Sequence, residues 1–198
     1  MTFDASVVKK DFPLLDREIN GKPIVYLDSA NTSQKPRQVI DAMSRFMETS
    51  YGPINRSAYQ IAAESTDAFE SARAAVRRFI NAPKVHEVVF TKNATESLNL
   101  VAQSWGRANL RSGDVVLLTQ MEHHANIVPW HMLAAERGVE LRFVPLTDDG
   151  RLDLTDLPRL LDGAKVFSFT AMSNVLGTLT PVKELVAAAH AVRAIAIV

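Results

Sequence analysis

Residues 115–146 read VVLLTQMEHHANIVPWHMLAAERGVELRFVPL. The stretch opens on Val115-Val116-Leu117-Leu118-Thr119, an apolar run without polar alternation, which suits a strand covered on both faces. Helical spacing over residues 126–137 follows and closes at Gly138, and residues 141–146 are mostly apolar again. Nearly all-apolar strands separated by helices call for an α/β layered fold with a largely parallel sheet flanked by helices.

The same rhythm runs outward from this stretch. Upstream, residues 87–90 read as a strand and residues 94–105 as a helix with Leu98, Val101, Ala102 and Trp105 on one face. Downstream, Asp149-Gly150 is a turn, residues 155–161 a short helix and residues 165–170 a strand. Pro181 opens a helix to about residue 192, and residues 194–198 begin another strand. Towards the amino terminus, Asp4 suits the cap of a short helix, Asn20-Gly21 a turn and residues 24–27 a short strand. Pro36 opens an amphipathic helix with Val39, Ile40, Met43, Phe46 and Met47 in helical spacing. A longer helix over residues 60–80 places Phe69, Ala72, Val76 and Phe79 on one side. The last apolar strand stops at Val198 with no loop after it. Ligands in open α/β sheets bind beyond the carboxyl ends of strands, so the expectation is a truncated chain.

Composition narrows the function. The 198 residues are 47% hydrophobic and 22% charged, which excludes intrinsic disorder. Lys plus Arg and Asp plus Glu are 22 each, so no global charge draws the chain to nucleic acid or to an anionic membrane. No apolar run approaches the roughly 20 residues of a spanning helix, and the expectation is a cytoplasmic protein. Cysteine is absent. This removes disulfides, thiolate metal ligation and thiol nucleophiles from the chain.

Four segments could carry chemistry. In Thr91-Lys92-Asn93-Ala94-Thr95-Glu96-Ser97, Asn93 suits a helix N-cap with Glu96 three positions later. The open amides there, with the Thr95 hydroxyl, would hold a phosphate, although a well-capped helix without a ligand has the same sequence. Met121-Glu122-His123-His124-Ala125-Asn126 follows a strand, where an imidazole could stack on a planar ligand or move a proton. Its adjacent histidines point apart and make a poor chelating pair, and help from His131 or Glu122 gives no zinc spacing. Ser173-Asn174-Val175-Leu176-Gly177-Thr178 offers an amide donor and acceptor beside a glycine that permits close approach. Asp28-Ser29-Ala30-Asn31-Thr32-Ser33 reads as a polar turn, and Arg56 as a solvated arginine. A phosphate cradle, an imidazole and an amide at one sheet edge suggest a phosphorylated planar cofactor, with pyridoxal phosphate the candidate.

At these residues the chain resembles a known family. Tyr26-Leu27-Asp28-Ser29-Ala30, Gln34-Lys35-Pro36 and Asn93-Ala94-Thr95-Glu96-Ser97-Leu98-Asn99-Leu100-Val101-Ala102 are similar to the group II (SUF-type) cysteine desulfurases. So are Gln120-Met121-Glu122-His123-His124-Ala125-Asn126-Ile127-Val128-Pro129-Trp130 and Ser173-Asn174-Val175-Leu176-Gly177-Thr178. Those enzymes belong to the class-V, aminotransferase-like, fold type I pyridoxal phosphate enzymes. The resemblance implies conversion of L-cysteine to L-alanine with persulfide transfer to a sulfur-acceptor protein that feeds iron–sulfur cluster assembly, in a homodimer. It implies that Ala94 and Thr95 hold the cofactor phosphate, that His123 stacks on its ring and assists proton transfer, and that Asn174 binds cofactor and substrate. Ser29 and Ala30 would line the substrate pocket, with no metal involved. Residues 1–20 would be a segment of the small domain and residues 21–198 the first part of the large domain.

The chain also departs from the family. No lysine stands in a Ser-Gly-His-Lys context and no cysteine is present, so the chain alone is expected to be inactive. Asn55 and Ala171 stand where relatives carry histidine. Two other readings follow: a half-length binding module completed by a partner chain, and a class-V enzyme acting on another amino acid.

Overall fold

The computed structural model describes residues 3–55 and 57–198; the arginine at position 56 lies outside the described residues. The chain divides into two units, Met1–Val89 and Phe90–Val198. No helix among the described residues is long and apolar enough to cross a membrane.

In the first unit, α1 spans Ala5–Lys9 and is capped by Asp4, whose carboxylate accepts from the Ser6 hydroxyl at 2.7 Å and the Ser6 amide at 2.9 Å. Those bonds hold the Asp4 carboxyl below its ordinary range. A 3₁₀ turn, Pro13–Asp16, precedes strands β1 (Glu18–Ile19) and β2 (Lys22–Pro23), an antiparallel hairpin. Asn20 and Gly21 join them at φ 55° and 71°, the left-handed pair that a two-residue hairpin turn requires. Residues 24–27, expected as a strand, belong to no named strand, and Val25 and Leu27 are exposed. Strands exist only as pairs, and here the Ile24 amide alone reaches across the hairpin, to the Arg17 carbonyl at 3.0 Å.

Helix α2 runs Arg37–Thr49 and α3 Gln60–Phe79. The expected apolar stripe of α2 is uncovered: Met43 and Met47 are exposed and Phe46 is half-buried. The face that α3 buries is also not the predicted one. Ala62 and Ser65 are its buried residues, whereas Phe79 is 90% exposed. Ser65 is buried because it serves the preceding turn, accepting from the Gly52 amide at 2.8 Å and donating to the Ser50 carbonyl. The strand expected over residues 87–90 is a 3₁₀ turn, Val85–Glu87, followed by backbone that belongs to none of the named strands. There the Val88 carbonyl takes the Arg73 guanidinium instead of a strand neighbour.

The second unit holds the layered fold. One helical run comprises α4 (Ala94–Val101), a π-helical turn (Ala102–Gly106) and α5 (Arg107–Asn109). After it come β3 (Val115–Thr119), a 3₁₀ turn (His124–Asn126), α6 (Val128–Arg137) and β4 (Glu140–Val144). Then follow α7 (Leu157–Leu160), β5 (Ala164–Ser168), α8 (Val182–Ala191) and β6 (Ile195–Ile197). The four strands lie in the order β4-β3-β5-β6, all parallel.

Both faces of this sheet are covered, as its unalternating strands require. Val115, Leu117 and Phe167 pack with Leu157, Leu160 and Leu185 on one face. Val116, Leu118 and Val166 pack with Ala102, Trp130 and Leu133 on the other. The π-helical turn ends on Gly106, where a Cβ would stand 2.9 Å from Leu133 Cδ2, so α6 seats against bare backbone. Helix α6 closes on Gly138 at φ 71°, where a Cβ would lie 2.7 Å from Ser112 Oγ. Gly138→Ala is expected to destabilise the protein by about 1–2 kcal/mol in urea titration; an unchanged midpoint would show that the turn relaxes freely.

Candidate active site at the carboxyl ends of two strands

Strand order places the site. From β3 the chain moves to β4 on one side and returns to lay β5 on the other. The crevice outside the carboxyl ends of β3 and β5 is therefore a topological switch point, where open α/β sheets bind ligands. The loop after β3 carries His123 and the loop after β5 carries Asn174. Helix α4 lies beside the His124–Asn126 turn. The segment preceding α4 is extended backbone and not the expected strand, so two of the sequence motifs, not three, follow strands of the sheet.

The start of α4 is open. Asn93 Oδ1 caps the Glu96 amide at 2.9 Å, and the Glu96 carboxylate folds back onto the Lys92 amide at 2.6 Å. The amides of Ala94 and Thr95 carry no hydrogen bond among the described residues, and the Thr95 hydroxyl is exposed and free. Two unclaimed amides, a hydroxyl and the positive end of a helix make a fit for a phosphate group.

His123 is exposed, and its Nδ1 accepts the Ala125 amide at 3.0 Å. That bond assigns the neutral ring its proton at Nε2 and fixes the imidazole against its own turn. Asn174 is exposed on a hairpin over residues 171–180. The Ser173 hydroxyl accepts the amides of Val175 and Leu176, Gly177 turns the chain at φ 71°, and Met172 pairs with Leu179. The Asn174 amide is left without an internal partner among the described residues, free to hold a polar ligand. An open cavity of about 620 Å³ beside this hairpin is lined by Asp149, Arg151, Leu152 and Thr178, and by none of the four residues above.

Ser29 and Ala30 belong to the first unit. They sit in an exposed turn where the Asp28 carbonyl accepts the Asn31 and Thr32 amides. Ser29 borders a shallow groove with Phe12, Leu15, Tyr26, Ser33 and Gln34. His131 stacks on Phe143 with centroids 6.2 Å apart.

Sequence reasoning missed a buried polar network beneath this site. Glu122 and Asn126 are 8% and 6% exposed, and Thr119 and Ser168 are fully buried. The Glu122 carboxylate accepts from Asn126 Nδ2 at 2.7 Å, from the Thr170 amide at 3.0 Å and from the Thr119 hydroxyl. Asn126 Oδ1 accepts from Ser168 Oγ at 2.7 Å and from Trp130 Nε1 at 3.2 Å. The available signal was a hydroxyl residue ending each of two apolar strands, Thr119 and Ser168. A lone polar residue in such a run needs a buried partner.

The sequence model of the family described as Aminotransferase class-V matches residues 25–198. A cysteine desulfurase of Synechococcus elongatus is 50% identical over 189 residues, which cover 95% of this chain and 30% of that protein. One from Escherichia coli is 48% identical over 191 residues, 96% of this chain and 47% of the other. Among solved structures, the apo cysteine desulfurase of Thermococcus onnurineus superposes with a TM-score of 0.90 at 35% identity, covering 99% of this chain and 47% of that one. A cysteine desulfurase from Escherichia coli gives a TM-score of 0.83 at 34% identity, covering 99% and 48%. The chain spans about half the length, or less, of the relatives it matches.

Proposed function

We propose that this chain, which belongs to the class-V aminotransferase family, carries the phosphate- and ring-binding side of a group II cysteine desulfurase acting on L-cysteine. The observation that carries this reading is an exposed imidazole, anchored through Nδ1 at the carboxyl end of β3, preceding a turn that packs against α4, the helix whose start leaves two amides unclaimed. Pyridoxal 5'-phosphate, the family's cofactor, supplies when bound an electron sink for the substrate's α-carbon.

The chain's own residues take the following parts. The Ala94 and Thr95 amides and the Thr95 hydroxyl hold the phosphate with charge-assisted hydrogen bonds. His123 lays its ring against the cofactor ring and carries a proton at Nε2. Asn174 supplies an amide donor to an anionic group of cofactor or substrate. Ser29 and Ala30 are assigned to the substrate on the resemblance alone. In the overall reaction the Cβ–Sγ bond of L-cysteine breaks, its sulfur passes to an enzyme thiol as a persulfide, and L-alanine leaves. With no cysteine among these residues, that thiol is supplied from outside them, as is the lysine that tethers the cofactor. Residues 1–20 form a segment of the small domain and residues 21–198 belong to the large domain. A homodimer in the cytoplasm, delivering sulfur to an acceptor protein, completes the reading.

The test is to purify the protein as its own cell makes it and to assay L-alanine and persulfide formed from L-cysteine. Stoichiometric alanine supports the reading; bound cofactor that turns over a different amino acid overturns the substrate. Thr95→Ala is expected to weaken cofactor retention by about 1–3 kcal/mol in equilibrium dialysis. Unchanged retention would remove the phosphate from this helix start.

A further inference from the structure

We propose that Glu122 is a positioning residue: by accepting on both oxygens it sets the direction of the buried hydrogen-bond chain and so holds His123 and the Asn174 hairpin in one arrangement. The proposal rests on the reading of His123 and Asn174 as site residues given above.

The chemistry of the chain's two ends fixes its direction. At one end stands the Trp130 indole N–H and at the other the Thr170 peptide N–H, and neither group can accept. Trp130 and Ser168 both donate to Asn126 Oδ1, at 3.2 and 2.7 Å. This turns the Asn126 amide so that Nδ2 donates to Glu122 Oε2 at 2.7 Å. From the other end, the Thr170 amide donates to Glu122 Oε1 at 3.0 Å, joined there by the Thr119 hydroxyl. Donors converge on Glu122 from both sides, and asparagine relays direction but cannot reverse it. Only a group that accepts on both oxygens closes the chain, which a glutamate carboxyl does and a glutamine amide does not. Among the described residues no cation is paired with it, so hydrogen-bond donors alone hold this buried carboxyl group.

What the network clamps is the site. Glu122 and Asn126 flank the turn in which His123 Nδ1 takes the Ala125 amide and the His123 carbonyl takes the Asn126 amide at 2.8 Å. Across the crevice, the Thr170 carbonyl accepts the Thr180 hydroxyl at 2.8 Å, and the Ala171 carbonyl accepts the Thr180 amide at 3.0 Å. Those bonds root the hairpin that carries Asn174. The Glu122 carboxylate is thus the joint between the two loops.

Polarity, and not bulk, is the quantity to vary. Glu122→Gln keeps the shape but places an NH₂ against either Asn126 Nδ2 or the Thr170 amide. Flipping Asn126 to meet it turns an NH₂ onto the Trp130 N–H, so no arrangement satisfies every donor. Combining Glu122→Gln with Asn126→Asp does: the new carboxylate at position 126 accepts from Trp130, Ser168 and the glutamine NH₂, while the glutamine oxygen keeps Thr170 and Thr119. Side-chain ¹⁵N NMR of histidine in the protein before cofactor is added reads the His123 tautomer directly. The expected result is that Glu122→Gln mixes the two tautomers and lowers kcat about a hundredfold at little-changed KM, and that the paired substitution restores both. A folded Glu122→Gln protein with the native His123 signal and native kcat overturns the proposal. So does a folded paired variant that keeps the mixed tautomers. If Glu122→Gln alone does not fold, the paired variant decides: a native His123 signal supports the proposal and a shifted one overturns it. His123→Ala separates this from the functional reading. Undiminished turnover in that variant removes His123 from the chemistry, while the NMR coupling still tests what Glu122 holds.

Discussion

On the function proposed above, replacing His123 with alanine in the whole protein is expected to lower turnover of L-cysteine by about 10²- to 10⁴-fold, the range of a positioned proton carrier, while the protein keeps its fold and most of its cofactor. The side chain is exposed and its one internal bond is to the Ala125 amide, so its loss costs little packing. The phosphate contacts assigned to Ala94 and Thr95 lie on another element and survive. Steady-state kinetics and cofactor dialysis on the same preparation separate the two effects. A fall in kcat with near-normal retention supports a ring that moves protons. An equal loss of both would make His123 chiefly a binding group, and no loss would remove it from the site.

The second large effect concerns the layer beneath. Trp130 is fully buried between the sheet and the π-helical turn, and its indole N–H ends the polar network. Trp130→Ala is expected to cost about 3–5 kcal/mol, as aromatic-to-alanine changes in packed cores do. That is a large part of the roughly 5–15 kcal/mol by which domains are stable. Trp130→Phe keeps most of the ring and removes only the donor; its cost should be nearer 1 kcal/mol, because Ser168 still donates to Asn126 Oδ1. Urea denaturation of both variants checks the order. Equal losses would mean that the hydrogen bond, and not the cavity, dominates at this position.

Most of the second unit was legible because its strands announce double burial. Val115–Thr119 has no polar alternation, and it lies between two helical layers at the predicted bounds. Gly138 and Pro181 mark the ends of α6 and α8 for local steric reasons that any sequence carries. The first unit was less legible. Residues 24–27 and 87–90 have strand composition but belong to no named strand, and pairing is not a local property. The stripe on α2 and Phe79 on α3 follow helical spacing and remain exposed. Spacing says which residues share a face; it does not say that the face is covered. At the candidate site, the capped helix start at Ala94 and Thr95 and the turns that carry His123 and Asn174 were readable from turn and cap chemistry, while their proposed roles rest on the resemblance. Ser168 was not, because its partner Asn126 lies 42 residues away.

The strand order also bears on how the sheet is made during synthesis. Within this four-stranded sheet β3 and β4 are the first pair available to a growing chain, and β5 must then dock on the opposite edge of β3. Until Ser168 has emerged, that edge of β3 is a bare row of peptide groups on an apolar ribbon. Chains elongate at roughly 5–20 residues per second, so the interval between completing β4 at Val144 and β5 at Ser168 is on the order of seconds. During it, Val115–Thr119 offers a ready template for a strand from a neighbouring nascent chain. Translation speed across residues 145–168 should therefore govern soluble yield: slowing this stretch with rare codons lengthens the exposure and raises aggregation, whereas slowing residues 60–79, before β3 exists, should leave yield unchanged.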